Sequence, residues 1–111
     1  MNQKIRVYGR SRINEKLKET YSRLYEIAGN CCELCRSNQG LSVHHIYPKS
    51  DPANCRDELW NMIVLCRKCH KHYKDEIKSR LIKTHLEHVD DFCEKWRLKV
   101  NNNWDGLIPV R

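Results

Sequence analysis

Glycine and proline are scarce in this chain, four and three in 111 residues. So little of either excludes a collagen-like or Gly/Pro-rich low-complexity polymer. Long apolar runs are missing as well. No stretch approaches the roughly 18 residues that a membrane helix needs, so no membrane partner is expected. The first thirty residues hold seven basic side chains and no continuous apolar segment that could serve as a signal-peptide core. The location expected on this ground is a reducing cytoplasm. Acidic charge is the other shortage, 14 Asp+Glu against 21 Lys+Arg, for a formal net charge of +7. What remains, 40% apolar and 32% charged residues, suits a single small folded domain over residues 1–111 and is too hydrophobic for a disordered tail.

The surplus is unevenly placed. Residues 1–30 carry seven bases and three acids, residues 31–74 seven and four, and residues 75–111 seven of each. A basic excess in the first two thirds favours a polyanion such as nucleic acid, and supports binding without specifying sequence or chemistry. The seven cysteines are read in the same light, because disulfides are rare in a reducing compartment whereas thiolate–metal sites persist there.

Apolar spacing organises the rest. Ile13, Leu17, Tyr21, Leu24, Tyr25 and Ala28 recur at helical intervals between Ser11, an N-cap residue, and Gly29-Asn30, a stop, which predicts a basic amphipathic helix over 12–28. Leu41 to Ile46 reads as a strand, and Met62-Ile63-Val64-Leu65 as a second, followed by a charged helix from Arg67. Pro48, Asp51-Pro52 and Asn54 mark a loop between the strands. Ile77, Leu81, Ile82, Leu86, Val89, Phe92, Trp96 and Val100 then keep intervals of three and four, which predicts a helical extension over 81–101 with a break near Thr84. Asn101 to Gly106 reads as a turn, and no repeat or linker divides the chain.

Two CxxC pairs, Cys32/Cys35 and Cys66/Cys69, bracket a thirty-residue insert. Each pair can turn both sulfurs toward one point, and two such knuckles complete the tetrahedron that Zn²⁺ prefers. Four thiolates leave no open position, so this metal is expected to be structural. Arg36, Arg67 and Lys68 stand nearby in sequence to offset the net negative charge. Cys31 could replace Cys32 only at a less usual spacing, Cys93 falls on the apolar stripe as a small core residue, and Cys55 has no assignment.

Inside that frame lie His44-His45 on the first strand, Asn61 before the second, and His70 directly after the fourth cysteine. The string Cys32-x₂-Cys35, Val43-His44-His45-Ile46, Asn61-Met62-Ile63-Val64-Leu65-Cys66, Arg67-Lys68-Cys69-His70 resembles the HNH endonuclease family, in its Cys₄-supported ββα-metal branch. Taken singly, each histidine could be a satisfied strand residue or a zinc ligand; the agreement of types, order and spacing carries the resemblance. It implies an α+β fold: a ββα-metal finger with a structural Cys₄ zinc site, core 31–80, flanked by the N-terminal helix and the C-terminal extension.

The resemblance also implies an activity, metal-dependent hydrolysis of DNA phosphodiester bonds to 5′-phosphate and 3′-hydroxyl ends. His45 matches the general base, Asn61 the residue that aims it, and His44 and His70 the ligands of one catalytic divalent cation. That cation is Mg²⁺ or Mn²⁺ by family precedent, with Ni²⁺ and Zn²⁺ also compatible with imidazole ligands. Some members place a further ligand histidine four residues after the helix histidine, where this chain has Lys74. Neighbouring strand residues point to opposite faces, so the strand is expected to end or bulge at His44-His45 for both to address one phosphate. Arg67, Lys68, Lys71 and Lys74, with Lys49 and the bases Lys4, Arg6, Arg10, Arg12, Lys16, Lys18 and Arg23, are the candidate phosphate contacts. His72, His85 and His88 read as surface or helix-face residues with no role, and Asp90-Asp91 as a solvated face. Nothing reads as a separate sequence-recognition module, so weak or structure-directed specificity is expected unless a partner protein supplies targeting, and a homodimer placing two sites is the simplest route to double-strand breaks. The competing reading is a Cys₄ zinc finger that holds nucleic acid without cutting it.

Overall fold

The computed structural model describes residues 15–47 and 57–110. The expected N-cap Ser11, Cys55, Lys49 and the bases Lys4, Arg6, Arg10 and Arg12 lie outside the described residues. Helix α1 (Glu15–Ile27) closes where the sequence predicts. Gly29 (φ 72°) and Asn30 (φ 57°) adopt left-handed backbone, and their N–H groups reach back to the carbonyls of Glu26 at 3.0 Å and Tyr25 at 2.9 Å.

Strand β1 (Ser42–His45) pairs antiparallel with β2 (Met62–Leu65), in register from Ser42↔Leu65 to His45↔Met62. A 3₁₀ turn, Leu59–Asn61, leads directly into β2. Helix α2 (Arg67–His72) follows β2 at once, and the Cys66 thiol caps it by accepting the Cys69 N–H. The strands and α2 form a ββα unit within an α+β chain. A second 3₁₀ turn, Asp75–Ile77, then starts helix α3 (Lys78–Trp96).

The C-terminal extension differs from the expectation for 81–101. Helix α3 begins earlier, runs through Thr84 without a break and stops at Trp96. Arg97 turns left-handed (φ 56°) and donates its N–H to the Cys93 and Glu94 carbonyls. Strands β3 (Leu98–Val100) and β4 (Leu107–Pro109) then form a hairpin. Leu98 and Val100 stand at strand spacing, and Val100 also fits the helical period of the preceding stripe; that double fit conceals the boundary.

All four residues of β2 are buried, and they divide between two cores. Met62 and Val64 pack with Leu24, Tyr25, Ile27 and Ala28 of and just after α1, with Leu59, and with Val89. Ile63 and Leu65 pack on the other face with Cys32, Cys66, Ile46 and Leu81. Helix α3 serves both, since Leu81 and Val89 are eight residues and so about 12 Å apart along its axis. The hairpin turn is docked as well. The Thr20 hydroxyl donates to the Asp105 carbonyl at 3.0 Å, and the Leu59 N–H donates to the Trp104 carbonyl at 2.7 Å.

Candidate active site and metal centre

The two CxxC turns meet beneath β2. The sulfurs of Cys32, Cys35, Cys66 and Cys69 all lie within 4.8 Å of one another, with Cys35 and Cys66 at 3.6 Å. A tetrahedron of sulfurs about 2.3 Å from a central Zn²⁺ has edges of about 3.8 Å, so the cluster fits a metal such as zinc. Each knuckle is built alike: the Cys32 sulfur accepts the N–H groups of Leu34 (3.4 Å) and Cys35 (3.5 Å), and the Cys66 sulfur that of Cys69 (3.4 Å). Burial alone would push the Cys32 thiol up, but backbone N–H groups at Cys35, Cys66 and Leu34 bring it down to about 7. Cys69 moves the other way, raised by burial and by the thiols of Cys35, Cys32 and Cys66. One site cannot hold four thiolates without a cation among them. Cys31 takes no part; its thiol donates to the Gly29 carbonyl instead.

On the α2 side of the hairpin, the His44 ring stacks on that of His70, with centroids 3.7 Å apart and planes 13° apart. Ser42 Oγ lies 2.7 Å from His44 Nε2. Burial, then the neighbouring His70 and His45, depress His44 to about 4, so it is a neutral imidazole at pH 7. His45 occupies the opposite face. It pairs across the ladder with Met62 and shares that face with Val43, whereas His44 pairs with Ile63. The ladder is unbroken through both, so there is no bulge; the strand simply ends at His45.

His45 Nε2 lies 2.7 Å from Asp57 Oδ1. Asp57 also helps raise the Tyr21 phenol on α1, after burial, which is the larger cause. Asn61 is fully buried just beyond the strand end. Its side-chain oxygen accepts the Tyr47 N–H at 2.8 Å, its amide donates to the Tyr47 carbonyl at 3.1 Å, and its own carbonyl accepts the Ile46 N–H at 2.8 Å. The chain after His45 is thereby tied to the chain before β2. Arg67, Lys68, Lys71 and Lys74 are all exposed on α2 and just after it, as is His72.

Two histidines expected to be idle are not. His85 is fully buried and His88 half-buried, and both face Glu33, whose side chain is also fully buried. His85 Nδ1 lies 2.9 Å from Glu33 Oε1, His88 Nδ1 lies 2.8 Å from the same oxygen, and the Val64 N–H donates to Oε2 at 2.8 Å. His85 Nε2 donates to the Leu59 carbonyl at 2.6 Å. Burial would raise Glu33, yet His85 first, then His88 and the Val64 amide, hold it below the usual carboxylate range. The carboxylate from inside the first CxxC thus joins the zinc knuckle, β2, α3 and the turn before Asn61. A sequence signal existed, because His85 sits four residues from both Leu81 and Val89 on the buried stripe.

Glu33→Ala strands a buried histidine and the Val64 N–H together, and removing one partner of a buried pair costs about 3–5 kcal/mol. Urea denaturation of the zinc-loaded protein is expected to show a loss in that range. A change under about 1 kcal/mol would mean that the network contributes only specificity.

Among the described residues no helix is long and apolar enough to cross a membrane. No curated protein and no solved structure matches the chain. The knuckles, the two strands, His44, His45, His70 and α2 all fall within one segment, residues 31–76, and that segment matches the sequence model of the HNH endonuclease family.

Proposed function

We propose that the chain is a metal-dependent endonuclease that hydrolyses DNA phosphodiester bonds. The observation that carries this reading is the His44–His70 stack beside a strand end bearing His45, inside the segment that matches the HNH family. Hydrolysis needs a base to take a proton from water and positive charge on the developing phosphorane. His45 is the base in this reading. Asn61 acts through Tyr47, fixing the backbone on which His45 stands.

The residues beside it that would hold a divalent cation are two imidazoles. His44 is neutral, and a proton on its Nε2, donated to Ser42, leaves the Nδ1 lone pair free. His70, exposed and stacked against it, supplies a second imidazole. The cation, Mg²⁺ or Mn²⁺ by family precedent, would supply Lewis-acid polarisation of the phosphate and of the leaving 3′ oxygen. The exposed bases Arg67, Lys68, Lys71 and Lys74 would hold the DNA backbone by charge.

A second reading has one observation in its favour. His44 and His45 occupy opposite faces of an unbroken ladder, an arrangement that a Cys₄ finger holding DNA without cutting it would tolerate. Incubation of zinc-loaded protein with supercoiled plasmid, in EDTA and in Mg²⁺, Mn²⁺ and Ni²⁺, separates the two. The nuclease reading expects nicked or linear product only with added metal. Tight, salt-dependent DNA binding with no turnover in any metal would move the assignment to the non-catalytic finger.

A further inference from the structure

Asp57 was not singled out by the sequence pattern, yet its carboxylate meets His45 at 2.7 Å. We propose that Asp57 is a positioning residue for His45, fixing its tautomer and ring orientation so that Nδ1 faces the attacking water; the inference rests on the nuclease reading above. An ionised carboxylate only accepts, so the proton of the neutral His45 ring belongs on Nε2. The lone pair is then on Nδ1, the nitrogen left to receive a proton. In the opposite tautomer Nδ1 would already be protonated and useless as a base.

The placement of Asp57 is over-determined. It stands two residues before the Leu59–Asn61 turn, whose backbone is held from three sides. The Leu59 N–H donates to the Trp104 carbonyl in the β3–β4 turn, the Leu59 carbonyl accepts from His85 on α3, and Asn61 clasps Tyr47 two residues beyond His45. The segments bearing carboxylate and imidazole are therefore bound to each other independently of the pair itself. The C-terminal hairpin and α3 acquire a purpose beyond covering the core: they set the carboxylate against the base. A chance surface ion pair would have no such support, and His45 and Asp57 are only 15% and 35% exposed.

Partly exposed pairs contribute little to stability, so Asp57 variants should fold and the test reads function. Asp57→Ala is expected to lower kcat for plasmid nicking about 10- to 100-fold with KM unchanged. Asp57→Asn should do at least as badly, because its amide can donate to Nε2 and trap the wrong tautomer. Nitrogen-15 NMR of the zinc-loaded protein without DNA gives a readout independent of turnover: His45 protonated on Nε2 in the wild type and no longer uniformly so in either variant. Cleavage that requires His45 but is indifferent to both Asp57 variants overturns this inference alone, as does a wild-type His45 protonated on Nδ1. A wild-type chain that cleaves in no metal overturns the nuclease reading, and the role of Asp57 in catalysis with it.

Discussion

Chelation of the metal at the four-cysteine cluster is expected to abolish the cooperative thermal melt of this protein and most of its helical circular dichroism. The two cores explain why the damage should spread so far. Cys32 and Cys66 are themselves members of the cluster formed by Ile46, Ile63, Leu65 and Leu81. Strand β2 presents its other face to the α1 core through Met62 and Val64. Loosening the knuckles therefore frees a strand on which both cores depend. A structural Zn²⁺ in such a site contributes about 10–16 kcal/mol, whereas a domain of this size has about 5–15 kcal/mol in total. Removal leaves little or nothing.

Despite burial, Cys32 falls because backbone N–H groups, and then Cys69, favour its thiolate, whereas Cys69 is raised by burial and then by the other three sulfurs. Cys66→Ser should reproduce the effect of the chelator, with metal content by atomic absorption falling well below one zinc per chain. Cys31→Ser is the control, since that thiol turns to the Gly29 carbonyl, and both its metal content and its melting temperature should match the wild type. A Cys66→Ser protein that melts as cooperatively as the wild type would exclude the cluster as a folding centre.

Much of this architecture was legible in the chain because short-range rules govern it. The CxxC spacing fixes how two sulfurs converge, Gly29-Asn30 ends α1, and the short runs Ser42–His45 and Met62–Leu65 make β1 and β2. What escaped depends on long-range pairing. Glu33 lies in the middle of a knuckle and finds its partners, His85 and His88, more than fifty residues later. Only the buried stripe position of His85 hinted that it was not a surface residue. The β3–β4 hairpin was hidden by Val100, which satisfies helical and strand periods at once; a left-handed Arg97, unaided by glycine, ends the helix. The strand was expected to end or bulge at His44-His45, an inference from function to geometry, and it ends at His45 with no bulge in the ladder. Asp57 stood in an otherwise loop-like stretch, and its meaning appears only when the strand end and the Leu59–Asn61 turn are brought together in space.

His45→Ala is the substitution with the largest expected effect on turnover. Loss of a positioned general base costs about 10²- to 10⁴-fold in rate, which corresponds to about 3–5 kcal/mol of transition-state stabilisation. Little else should change. The side chain lies at the end of β1 rather than within either core cluster, and the zinc knuckles and the Glu33 network are built from other residues. Zinc content, melting temperature and DNA affinity of the variant should therefore match the wild type while nicking in Mg²⁺ or Mn²⁺ falls by at least a hundredfold. Affinity itself is expected to depend on different residues. Neutralising one of Arg67, Lys68, Lys71 or Lys74 should flatten the salt dependence of DNA binding, by about 0.9 in the log–log slope for each phosphate that the side chain had neutralised, without the same collapse in kcat. This division, rate at the strand end and affinity along α2, is what a nuclease requires and what a passive finger lacks. Equal nicking by the wild-type and His45→Ala proteins would remove the base from the mechanism and leave the metal centre without a partner.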